Sequence, residues 1–99
     1  MDGYAHIGTL YLLKELGGDK KLVWVVIENN SNDKTSTLLV VEECYKKGMK
    51  AKVNAKWLFE RESIGTILWP SSDIVIEDGR EFIRPIEPKG YSKVLKPKS

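Results

Sequence analysis

Apolar and polar positions follow three rhythms along this chain, and each rhythm predicts an element. In residues 4–16, "YAHIGTLYLLKEL", Ile7, Leu10, Leu13 and Leu16 recur near helical spacing and Leu12 widens the stripe. That spacing predicts a first helix, with Asp2 as its N-cap and Gly17-Gly18 as its stop. Residues 21–28, "KLVWVVIE", are β-branched and apolar on both faces, as in a strand covered on both sides at the centre of a sheet. Residues 33–47 predict a second helix. Asn32 or Asp33 caps it, Leu38, Val41, Cys44 and Tyr45 form its buried stripe, and Lys46, Lys47 and Gly48 close it. Residues 50–57, "KAKVNAKW", alternate strictly, with Lys50, Lys52, Asn54 and Lys56 on one side and Ala51, Val53, Ala55 and Trp57 on the other. Such alternation predicts a half-exposed strand.

Residues 73–84, "DIVIEDGREFIR", carry the strongest local signal. Asp78-Gly79 between two alternating apolar runs predicts a two-residue hairpin loop. Its register sets Glu77 opposite Arg80, Val75 opposite Phe82 and Asp73 opposite Arg84, with Ile74, Ile76 and Ile83 turned to the core. Residues 58–72 give no clear pattern beyond a short strand in "GTILW". Pro85, Pro88, Pro97 and Gly90 make 85–99 extended and then frayed at its end.

Strand, helix and strand over 21–57 together predict a parallel β-α-β unit with a right-handed crossover. The expected fold is a small single α/β domain at residues 1–88. It has a mixed sheet, the parallel unit at 21–57, a preceding helix at 4–16 and the antiparallel hairpin at 73–84. A basic extended tail follows at 89–99.

Composition narrows the class. At 99 residues, with 41% hydrophobic and 30% charged positions, the chain suits one globular domain with one modest core. The longest apolar run, 22–27, is too short to span a bilayer, and the start "MDGYAHIG" has no signal-peptide pattern. No membrane association and a cytoplasmic location are therefore expected. Cys44 is the one cysteine and His6 the one histidine, so neither an internal disulfide nor an ordinary zinc site is expected. The net charge of +2 belongs to the tail, because residues 1–88 hold 12 basic and 14 acidic side chains. A body of that balance argues against broad electrostatic binding to nucleic acid. Absent glutamine beside abundant Lys and Glu is a hyperthermophile trend. In size and composition the chain resembles orphan proteins of viruses that infect hot-spring archaea, which would place it in the host cytoplasm.

The turn "VIENNSNDKT" carries a further resemblance. It is similar to the strand–turn–helix at the nucleotide-binding half of GT-A glycosyltransferases. Ser31, Asp33 and Thr35 match that motif in type and spacing, and Glu28 falls at the family's first nucleotide-contacting acid. The resemblance implies a nucleotide-sugar site. Glu28 would accept from a base or ribose, and backbone N–H groups near Ser31–Asp33 would receive a phosphate. Ser, Asn and Asp also gather in such turns because they cap helices. The family's Asp-x-Asp is not found in "EDGRE".

A second candidate is the lysine strip. Lys50, Lys52 and Lys56 would follow a nucleic-acid backbone, with Trp57 or Phe59 stacking on a base. Lysines on an edge strand also serve to discourage aggregation. The element order is similar to that of small archaeal nucleic-acid binders of the Alba type. No catalytic set, metal site or cofactor is expected: Cys44 lies on an apolar stripe, the carboxylate pairs Glu42-Glu43 and Glu60/Glu62 read as solvent-facing charges, and His6 has no evident partner. The tryptophans and tyrosines exceed what a slim core hides, which points to a homodimer. The leading expectation is a small non-catalytic binding or assembly protein. A nucleotide-sugar-binding domain and a nucleic-acid binder are the alternatives.

Overall fold

A computed structural model describes residues 2–16, 22–41, 49–84 and 92–95. Its strands are β1 (Thr9–Leu13), β2 (Leu22–Asn30), β3 (Thr35–Val40), β4 (Lys50–Asn54), β5 (Gly65–Leu68), β6 (Ile74–Glu77), β7 (Arg80–Ile83) and β8 (Ser92–Leu95). One helix, α1 (Ala55–Phe59), and a 3-10 turn at Ser71–Asp73 complete the described elements. All described pairings are antiparallel. The domain is therefore β-rich, not α/β, and the parallel β-α-β unit over 21–57 is absent.

The strand expected at 21–28 is present as β2, and it is central. β3 lies along one edge of β2. The other edge is shared, with β1 on residues 22–25 and β7 on residues 28–30. A register shift between Val26 and Glu28 marks an irregularity in β2, and there the sheet divides. One branch continues β1–β5–β8 and the other β7–β6, while β3 and β4 complete the opposite side.

Both expected helices fail for one reason. Leu10, Leu13, Leu38 and Val41 are compatible with a helical stripe, but Tyr11, Leu39 and Val40, which lie between them in the chain, are buried too. Leu10 joins one core cluster and Tyr11 the other; Leu38 and Leu39 divide in the same way. Burial of successive residues on opposite faces is the period of a strand in a sheet covered twice. Gly8, at φ +92, breaks the first supposed helix, and its N–H donates to the Val26 carbonyl at 2.8 Å. The second supposed helix begins with "TSTLLV", whose β-branched residues form β3. Its C-terminal part, with Cys44, Tyr45 and the lysines, lies outside the described residues.

Two clusters result. Trp24, Val26, Leu38 and Leu58 centre the first, against α1 and residues near Ala5; Leu10, Val25, Leu39 and Ile83 centre the second. Each fully buried side chain of this kind contributes about 1.5–3 kcal/mol.

The hairpin at 73–84 forms as expected. Glu77 is opposite Arg80 and Val75 opposite Phe82, and Asp78 and Gly79 both have positive φ, +52 and +78, as a type I′ turn requires. Arg84 N–H donates to the Asp73 carbonyl at 2.8 Å, which closes the far end. One detail differs: Ile83 is buried and Ile74 packs on the second cluster, but Ile76 is 72% exposed. It sits beyond the edge of the core on the outermost strand. The alternation of 50–57 also stops early. Asn54 Oδ1 accepts from Trp57 N–H at 3.0 Å and starts α1, so Lys56 and Trp57 are helical. Within the expected tail, Ser92–Leu95 pairs with β5 as a strand.

Candidate functional site

The turn after β2 is a hairpin tip. Residues 31–34 reverse the chain, and Thr35 opens β3, so no helix begins there to receive a phosphate. The two hairpin tips of the sheet then meet. Ser31 donates to the Gly79 carbonyl from both its N–H, at 2.8 Å, and its hydroxyl, at 2.9 Å. The Asn32 amide donates to the Asp78 carbonyl at 2.8 Å, while Asn32 N–H donates to Asn30 Oδ1 at 2.8 Å. Asp33 accepts from the Thr35 hydroxyl at 2.6 Å and from Lys52 Nζ at 3.2 Å. The hydroxyl of Thr35, and after it Lys52, hold the Asp33 carboxyl below the usual carboxylate range.

Glu28 is held from the other side. Arg80 Nε donates to Oε2 at 3.2 Å and Arg80 Nη2 to Oε1 at 3.1 Å, a two-point grip by a planar guanidinium. That hydrogen bonding, followed by the Glu28 charge, raises the Arg80 pKa further. Phe82 lies between two cations: Arg80 is 4.6 Å from its ring centre and Arg84 is 5.5 Å from it.

Register explains this assembly. Lys52, Thr37, Glu28, Phe82 and Val75 form one line across β4, β3, β2, β7 and β6. Asn54, Thr35, Asn30, Arg80 and Glu77 form the line two residues away, hence on the same face. Between them runs Val53, Ser36, Asn29, Glu81 and Ile76, on the opposite face. There Asn29 is 1% exposed; its amide donates to the Ala5 carbonyl at 2.7 Å and its oxygen accepts from the Ser36 hydroxyl at 2.6 Å.

The structure thus brings Glu28, Ser31, Asp33 and Thr35 to one end of the sheet, and each is engaged with a neighbour in the chain. It does not gather the lysine strip. Lys50 and Lys52 project from β4, whereas Lys56 and Trp57 belong to α1, and Arg61 lies 4.1 Å over the Trp57 ring. Lys56 instead shares an open cavity of about 360 Å³ with Tyr4 and Lys34. Sequence reasoning missed the Asn29–Ser36 pair and the Arg80–Phe82–Arg84 stack. The second was legible in principle, since "REFIR" alternates within a hairpin whose register was correctly expected. Among the described residues no three His, Cys, Asp or Glu side chains come together as a metal-ion group, and no helix is long and apolar enough to cross a membrane.

Comparison with known proteins found no matching family, no matching curated protein and no matching solved structure.

Proposed function

We propose that this chain is a small non-catalytic binding or assembly protein that works through the surface and edges of its sheet. The observation that carries this reading is Ile76. It lies within β6, is 72% exposed, and belongs to a strand whose only described neighbour is β7. A large apolar side chain on a strand edge that has no partner among the described residues favours another polypeptide over a small ligand. The engagement of the 28–35 turn points the same way. A nucleotide sugar would have to displace Arg80 from Glu28 and both Thr35 and Lys52 from Asp33. A nucleic acid would meet Lys52 already paired with Asp33 and Arg80 already paired with Glu28.

The test joins sedimentation velocity with two ligand screens. The reading expects mass above the 11.3 kDa monomer as concentration rises, or a defined protein partner. It expects no thermal shift with UDP-sugars and manganese, and no salt-dependent retention of DNA or RNA. A shift with UDP-sugar that Glu28→Ala removes would overturn it for the nucleotide-sugar alternative. Retention of nucleic acid that Lys50→Glu weakens would overturn it for the nucleic-acid alternative.

A further inference from the structure

The sheet branch β6–β7–β2–β3–β4 ends in two strands that have no second neighbour among the described residues. Their charges are opposite. β4, "KAKVN", carries exposed Lys50 and Lys52 and no acid. β6, "IVIE", carries exposed Glu77, is followed by exposed Asp78, and holds no base.

We infer that a second copy of this chain docks its β6 edge against the β4 edge of the first, extending the sheet head to tail; this rests on the assembly reading above. Three observations agree on the geometry. Four antiparallel steps separate β6 from β4, so the two strands run in the same direction. A copy displaced along the sheet therefore presents its β6 parallel to β4. The register lines place Lys50 and Lys52 on the same face as Val75 and Glu77. Displacement preserves the face, so Lys50 of one copy meets the glutamate of the next, and Lys52 joins it by giving up its 3.2 Å contact with Asp33. On the opposite face the line that joins Val53 to Ile76 brings these two together across the contact, and exposed Ile76 gains an apolar neighbour.

A two-fold dimer through either edge is disfavoured by the same charges. β4 against β4 sets lysine beside lysine, and β6 against β6 sets acid beside acid; like charges across strands are destabilising. A heterologous contact repeats, and it yields an open filament unless the rotation per step closes a ring. Strands of four and five residues make a small contact, so the association is weak and concentration-dependent.

The experiment uses the full chain and two charge-reversed variants at solvent-exposed positions. One carries Lys50→Glu with Lys52→Glu; the other carries Glu77→Lys. Sedimentation velocity is run over a wide concentration range, with far-UV circular dichroism confirming that each variant is folded. The wild type should form species larger than a dimer, reduced by high salt. Each variant alone should need about tenfold more protein for the same assembly. An equimolar mixture should regain it, because the reversed β4 of one variant complements the reversed β6 of the other. A wild type that stays at 11.3 kDa at every concentration overturns the inference, though the broader reading survives if the ligand screens are silent. Either variant assembling like the wild type, a mixture that regains nothing, or a wild type that stops at a dimer also overturns it.

Discussion

Asn29 shows what a polar residue does at the centre of this sheet. Its amide and carbonyl oxygen satisfy the Ala5 carbonyl and the Ser36 hydroxyl, and both Asn29 and Ser36 are buried. Removing one partner of a buried hydrogen bond leaves the other unsatisfied, at about 1–3 kcal/mol per group. Asn29→Ala should therefore lower stability by about 2–4 kcal/mol in urea titration, and Ser36→Ala by less. Because the two share one network, the double variant should lose less than the summed single losses; strict additivity would mean that the pair is not coupled. Asp33 offers a milder, pH-dependent case at the surface. Its pKa is depressed in the folded state, chiefly by the Thr35 hydroxyl and then by Lys52. A depressed carboxylate contributes stability above its unfolded pKa, and that contribution is lost as pH falls through the folded value. NMR titration should place the Asp33 midpoint below that of an unfolded peptide. Thr35→Val should raise it more than Lys52→Met does, and the reverse order would mean that charge outweighs the hydrogen bond.

At the scale of elements, legibility depended on how local the deciding interaction was. The hairpin at 73–84 could be read because Asp78-Gly79 fixes its own turn, and the register follows from the turn. β2 could be read because a run apolar on both faces has few alternatives in a short chain. β1 and β3 could not be read: a stripe such as Ile7, Leu10, Leu13 suits a helix, and only pairing with β2 shows that Tyr11 between them is buried as well. The Glu28–Arg80 contact joins residues 52 apart, and no spacing rule announces such a pair. The turn at 28–35 was expected to lead into a capped helix, but it leads into β3, and its Ser31 and Asn32 hydrogen bonds go to the tip of a second hairpin. α1 was hidden inside an alternating run that a single cap interrupts. Asn54 holds its first turn, and Leu58, wholly buried, fixes it to the first core cluster. Leu58→Ala should cost about 2–5 kcal/mol in thermal or urea unfolding. A loss below about 1 kcal/mol would mean that α1 is not anchored through that residue.

For the whole molecule, β2 decides how stability is distributed. It pairs with β1, β3 and β7, and Trp24, Val25 and Val26 on it have no exposed surface. Opening β2 would separate both core clusters at once, whereas β6 has one described neighbour and releases little apolar surface. Amide exchange follows such differences, since segments that open locally exchange through smaller free energies than those that need global unfolding. The amides of Val25 and Val26 should be among the slowest and should give the global unfolding free energy, while amides on the outer edge of β6 should exchange much sooner. Dilute protein gives this ordering for the isolated chain. Protection that appears at β6 and β4 together as concentration rises, with β2 unchanged, would place new contacts at the two sheet ends. Equal protection across β2 and β6 in dilute protein would contradict a centre built on β2, and with it the view that the sheet's ends are held more loosely than its middle.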